Sequence, residues 1–256
     1  MKRAAFAVVL IACFATLAMA THQPATIGEY SGLSQVRTDR AHANATGPRC
    51  AKVTGYYYYS GSFDSTNSNA NGLANEDDLL VADTHVYQPF SVIAKGKLKH
   101  LNVTGLCVNS ADPDGFGIDN PTPYEVRANA IVGSGGTLVC KGTAVSSDAL
   151  TGQGTLPVWT HAVKISKCKL AGSVKTGTQY HMNVTPQCFK NKVCSSARYF
   201  EVTDDSNLDH IGPPTNRGAA LWNSATFKEN WVNPNTVFGG NMMQSFSAGV
   251  TGTLVK

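Results

Sequence analysis

From about residue 50 the chain is a series of short β-prone runs broken by turn signals, and in two of them apolar and polar residues alternate with a period of two. In residues 97–108, Lys99, Leu101 and Val103 fall on one side and Leu98, His100 and Asn102 on the other. Residues 158–165 alternate in the same way. Successive side chains of a strand point to opposite faces, so this pattern predicts strands with one buried face. Further strands are expected at 52–59, where four consecutive tyrosines are strongly β-prone, and at 79–81, 86–93, 179–184 and 198–202. Runs at 124–132 and 137–145 flank Gly133-Ser134-Gly135-Gly136, which predicts a hairpin. Residues 60–78, 111–122 and 204–241 read as loops, and 242–254 as a strand pair or one bent strand. No segment sustains apolar spacing of 3.6 residues over three turns. About ten strands without intervening helices predict an all-β fold, an antiparallel, jelly-roll-like β-sandwich. Two sheets with one apolar face each make a core by packing together.

The N-terminus changes the compartment. Lys2 and Arg3, an apolar run over 4–17, and Ala18-Met19-Ala20 match a secretory signal peptide over residues 1–20. The run is shorter than the ~20 residues a membrane span needs, and no later stretch approaches that length. The expectation is a secreted protein, extracellular or periplasmic, with no transmembrane span in the mature chain. Leu10-Ile11-Ala12-Cys13 resembles a lipoprotein cleavage box, but cutting there would leave an apolar start, whereas cutting after Ala20 leaves a polar one. Residues 21–49 carry little apolar content and read as a flexible leader, and residues 50–256 as a single β-sandwich domain.

Six cysteines remain after cleavage: Cys50, Cys107, Cys140, Cys168, Cys188 and Cys194. An even number in an exported chain predicts three disulfides, and no C-x-x-C pair favours zinc. Fifteen pairings are formally open. Cys188 and Cys194 close a very short loop. Cys140 and Cys168 fall in consecutive strand-like segments, which leaves Cys50 with Cys107. The mature chain has 19 basic and 17 acidic residues, a charge of +2, and no Lys/Arg run. That balance argues against nucleic acid as a partner.

Several phrases occur together in a telling order. Tyr124-Glu125-Val126-Arg127 leads to Gly133-Ser134-Gly135-Gly136-Thr137-Leu138-Val139 and then Lys141-Gly142-Thr143-Ala144. Residues 79–90, Leu221-Trp222-Asn223-Ser224 with Trp231, and Phe246-Ser247-Ala248-Gly249-Val250 follow the same plan. From about residue 56 onward the chain resembles uncharacterised secreted bacterial β-sandwich proteins of the kind that often carry a Pro-Glu-Pro C-terminal sorting anchor. This sequence stops at Val255-Lys256 without that anchor, so the resemblance implies a released or periplasmic member. It implies fold and export, but no activity.

Candidate chemistry is sparse. Asp112, Asp114 and Asp119 surround a glycine turn as calcium ligands would, but Phe116 occupies the next alternating ligand position. An Asx/Gly turn explains the run more simply, and no tight calcium site is expected. Asp83-Thr84-His85 and the histidines at 100, 161, 181 and 210 form no H-E-x-x-H, H-x-H or G-x-S-x-G frame. No catalytic residue, metal or cofactor is therefore expected. Trp222 and Trp231, with Tyr199 and Phe227, lie in or beside the late loop, where aromatic rings would stack on a ligand or cap the core. The leading expectation is a secreted, non-catalytic surface- or carbohydrate-binding protein, whose partner is a polysaccharide or envelope component. A structural envelope or biofilm-matrix component and an unrecognised secreted hydrolase are the alternatives.

Overall fold

In the computed structural model the described residues are 55–63, 72–77, 81–111, 121–150, 158–174, 177–187, 200–202, 210–213, 219–238 and 245–256. Sheet 1 contains β1 (Tyr56–Tyr59), β2 (Gly72–Ala74), β4 (His100–Ala111), β7 (Ser146–Leu150), β8 (Val158–Ala171), β10 (Phe200–Val202) and β13 (Ala248–Val255). Sheet 2 runs β12 (Glu229–Val232), β11 (Leu221–Ser224), β3 (Thr84–Val92), β9 (Thr178–Val184), β5 (Thr122–Ala128) and β6 (Thr137–Ala144). One short helix, α1 (Pro234–Phe238), follows β12. All strand pairs are antiparallel and the two sheets form a β-sandwich. The strands β2, β11 and β12 fall in stretches expected to be loops. They are three or four residues long, too short for alternation to register.

β4 is the hub of sheet 1. It pairs along its length with β8 on one side, and with β13 and then β10 on the other. Leu101 and Val103 are buried, while His100 and Asn102 face outward, as the alternation predicts. A bulge at Thr104 then shifts the register, so that Leu106 and Val108 become the inward residues. They meet Phe90, Val126, Tyr180 and Met182 of sheet 2 in the main core. A second bulge, at Tyr57, breaks the alternation of the four tyrosines. Tyr57 and Tyr58 pack on the main core, and Tyr56 and Tyr59 on a small cluster with Cys107 and Ala162 outside sheet 1.

Two features tie the sheets together. Cys140 of β6 and Cys168 of β8 form a disulfide that crosses from one sheet to the other. The bridge therefore clamps an open side of the sandwich and does not join neighbours within one sheet. Cys107 is also disulfide-bonded, but its partner lies outside the described residues, as do Cys50, Cys188 and Cys194. The second tie is Asn75, just after β2. Its Oδ1 accepts from Val86 N of β3 (3.1 Å) and Asn183 Nδ2 of β9 (2.7 Å), and its Nδ2 donates to Val184 O (3.0 Å). The Asn75 amide fills a gap in the β3–β9 ladder and satisfies backbone groups that would otherwise be buried without partners.

Candidate functional site

On the outward face of sheet 2 the polar positions of five neighbouring strands come together. Asp83 and His85 with Tyr87, Glu125 with Arg127, Asn183 with Thr185, Asn223, and Glu229 with Trp231 all line one open groove of about 1050 Å³. Each set is spaced by two residues, so the alternation that buries one face of the sheet builds this groove on the other.

The groove centres on the Glu125 carboxylate. Tyr87 Oη donates to Glu125 Oε1, and Arg127 Nε donates to the same oxygen at 3.1 Å. Burial, and then the negative charge of Glu125, hold the Tyr87 phenol far above its ordinary pKa, so it remains a donor at any physiological pH. Arg127 also donates to Gly135 O at 3.2 Å, and its guanidinium carbon lies 5.0 Å from the Trp231 ring centre. The Trp231 ring in turn rests on Tyr87 at 4.4 Å, and Tyr87 stacks on His85 at 6.0 Å.

Local backbone chemistry holds this wall in place. Trp231 has φ +52°, a left-handed conformation rare for a bulky residue, and Asp83 and Lys228 in the groove share it with φ +47° and +60°. Such residues each cost about 1–3 kcal/mol and concentrate where function fixes a side chain. Gly133 N donates to Trp231 O at 2.9 Å, which fastens the β5–β6 turn to β12. A Cβ on Gly135 would collide with the Trp231 indole, so only glycine fits beneath that ring.

Along the other wall, Thr185 Oγ1 donates to Asn183 Oδ1 and lies 3.2 Å from His85 Nδ1. With its proton committed to Asn183, the hydroxyl accepts from His85. The neutral ring therefore carries its proton on Nδ1, with Nε2 facing Asp83 at 3.7 Å. His85 in this tautomer cannot take a proton from Thr185. A further groove hydroxyl, Ser224, is buried on Thr84 at 2.7 Å.

Of the aromatic residues singled out by sequence, Trp231 lines the groove. Trp222 does not: it is fully buried with Leu73, Val86 and Phe246, and its indole donates to Ala74 O at 3.1 Å. Phe227 packs on Trp222 at 5.7 Å, so both belong to the core. Tyr199, Asp112, Asp114 and Asp119 lie outside the described residues. Tyr87, Glu125, Arg127 and Asn183 were not anticipated as site residues; the signal that could have found them is the spacing by two that sets Glu125 and Arg127 on one face of a strand.

His181 shares the outward side of β9 but is buried beneath the segment preceding β11. Burial lowers its pKa to about 4, opposed in part by a hydrogen bond to the Ala219 backbone. Among the described residues no three His, Cys, Asp or Glu side chains converge as a metal site requires, and no helix is long and apolar enough to cross a membrane. The sequence matches no protein-family model, and no curated protein is detectably similar to it.

Proposed function

We propose that this chain is an exported, non-catalytic β-sandwich that binds polysaccharide in the groove on sheet 2. The observation that carries the reading is the Tyr87–Glu125–Arg127–Trp231 cluster. It offers planar hydrogen-bonding groups beside aromatic rings, all fixed before a ligand arrives. Planar carboxylate, guanidinium and amide groups match neighbouring hydroxyls in pairs, and ring faces and edges match the C–H surfaces of a sugar. Preorganisation reduces the ordering cost of binding such a flexible polymer.

Binding is favoured over hydrolysis by the proton arrangement: the groove histidine donates to the threonine hydroxyl beside it, which is opposite to what an activated nucleophile needs. Export is supported by the Cys140–Cys168 bridge, since such bonds persist mainly in oxidising compartments.

The test is a glycan array followed by calorimetry on the glycans retained. Arg127→Ala should weaken binding by at least tenfold, consistent with the ~2 kcal/mol typical of a charge-assisted hydrogen-bonding anchor. Wild-type protein that binds no glycan, or an Arg127→Ala variant that binds normally, overturns the proposal.

A further inference from the structure

A second surface, remote from the groove, is marked by charge. Lys95, Lys97 and Lys99 lie between β3 and β4, and all three are exposed. Lys164, Lys167 and Lys169 are exposed on β8, and Lys256 follows β13. Strand pairing brings these separate stretches together. Lys169 pairs with Asn102 and Lys164 with Gly105 on β4, Lys99 N donates to Val255 O at 2.8 Å, and Gly172 N donates to Lys99 O at 2.8 Å. From the level of Gly105 to Lys99 the strip extends about 20 Å, at ~3.3 Å per strand residue.

Among the described residues the counter-charges are elsewhere. The acidic side chains described, Glu76, Asp77, Asp83, Glu125 and Glu229, lie at the start of β3 or along the groove. Asp148 and Glu201 pair with His161 and Ser110, beyond Lys164 on the far half of β8 and β4. None of the seven lysines makes an ion pair among the described residues. Among the described residues positive charge is thus concentrated without acidic partners on one end and edge, where it raises the local concentration of anions.

We infer that this strip binds an acidic polysaccharide, a polymer bearing repeated carboxylate or sulfate groups. Residues 95–104, 164–171 and 251–256 contain no Trp, Tyr or Phe, so the strip lacks the stacking platforms that single-stranded nucleic acid needs and the aromatic anchors of a lipid interface. Asn102, Thr104 and Thr253 stand between the lysines, partly or fully exposed, and offer hydrogen-bonding groups to hydroxyls between the anionic groups. Charge on a flexible ammonium suits a polymer whose anions recur without fixed geometry.

The experiment measures binding of fluorescently labelled polygalacturonate and dextran sulfate at low ionic strength, with neutral dextran and vesicles containing phosphatidylserine alongside. The variant Lys97→Gln/Lys99→Gln/Lys169→Gln changes only exposed side chains, and circular dichroism checks its fold. Expected results are binding to both acidic polymers and none to neutral dextran, a steep loss with added salt, and affinity roughly a hundredfold lower in the triple variant, at about fivefold per lysine. No polyanion binding, an unchanged triple variant, or tighter binding to the vesicles than to either polymer overturns the inference. Neutral glycans held by the groove should bind the triple variant as they bind the wild type, so this outcome is independent of the groove proposal.

Discussion

Trp222 and Trp231 sit on adjacent antiparallel strands, β11 and β12, yet they serve opposite faces of sheet 2. Around Trp222 everything is apolar and closed: the ring fills a core between Leu73, Val86 and Phe246, with its one polar atom satisfied by a backbone carbonyl. Trp231, 9% exposed, also packs on apolar neighbours, Ala130 and Leu221, but its ring is held in addition by a cation, a phenol, a glycine and an unusual backbone angle. Fixing a groove-lining ring by several devices is costly, and Trp222 shows how little is needed when full burial alone sets the position. Under the proposed function, Trp222 serves packing and Trp231 serves presentation to a ligand as well.

Three measurements sharpen that contrast, the largest effect first. Trp222→Ala should lower unfolding free energy by about 3–5 kcal/mol in denaturant titration, the range for emptying a core site of this size. A loss below about 1 kcal/mol would show that the two tryptophans are not energetically distinct.

The second measurement concerns His181, buried near the groove wall and neutral in the folded state, with its pKa lowered to about 4. The unfolded chain, whose histidine titrates near 6.5, binds more protons between these values. Stability should therefore be full above about pH 6.5 and fall on acidification towards pH 4, by on the order of 2 kcal/mol. The melting temperature followed from pH 7 to 4.5 should drop less in His181→Gln than in wild type. Equal slopes would mean that the imidazole is not desolvated.

The smallest stability effect belongs to the groove ring. Trp231→Phe keeps an aromatic on Tyr87 and should cost only about 1 kcal/mol, the scale of an aromatic pair. Glycan affinity should nevertheless fall measurably by calorimetry. A variant that is strongly destabilised would move Trp231 to the packing side of the comparison.

Much of this architecture was legible in the residues, and the exceptions have physical causes. The alternation at Leu101 and Val103, the β5–β6 hairpin around Gly133 to Gly136 and the Cys140–Cys168 bridge all follow from local pattern. The bulges at Tyr57 and Thr104 do not, because an inserted residue reverses the faces without changing composition. The groove was hidden for a different reason. Its Tyr87, Glu125 and Asn183 are ordinary outward positions, and only the order β12-β11-β3-β9-β5-β6 makes them neighbours. The lysine strip was invisible for the same reason, since no contiguous basic run exists.

The placement of β13 carries a consequence for how the protein is made. This last strand, Ala248–Val255, inserts between β1 and β4, so the first and last described strands are neighbours. Their closure spans nearly the whole chain, and such contacts form late and slowly. A nascent chain emerging from the ribosome has no β13 to pair with residues 100–108 of β4 until residues 248–255 arrive. Sheet 1 therefore cannot close before β13 has been synthesised, which makes β13 the strand that gates completion of the sandwich.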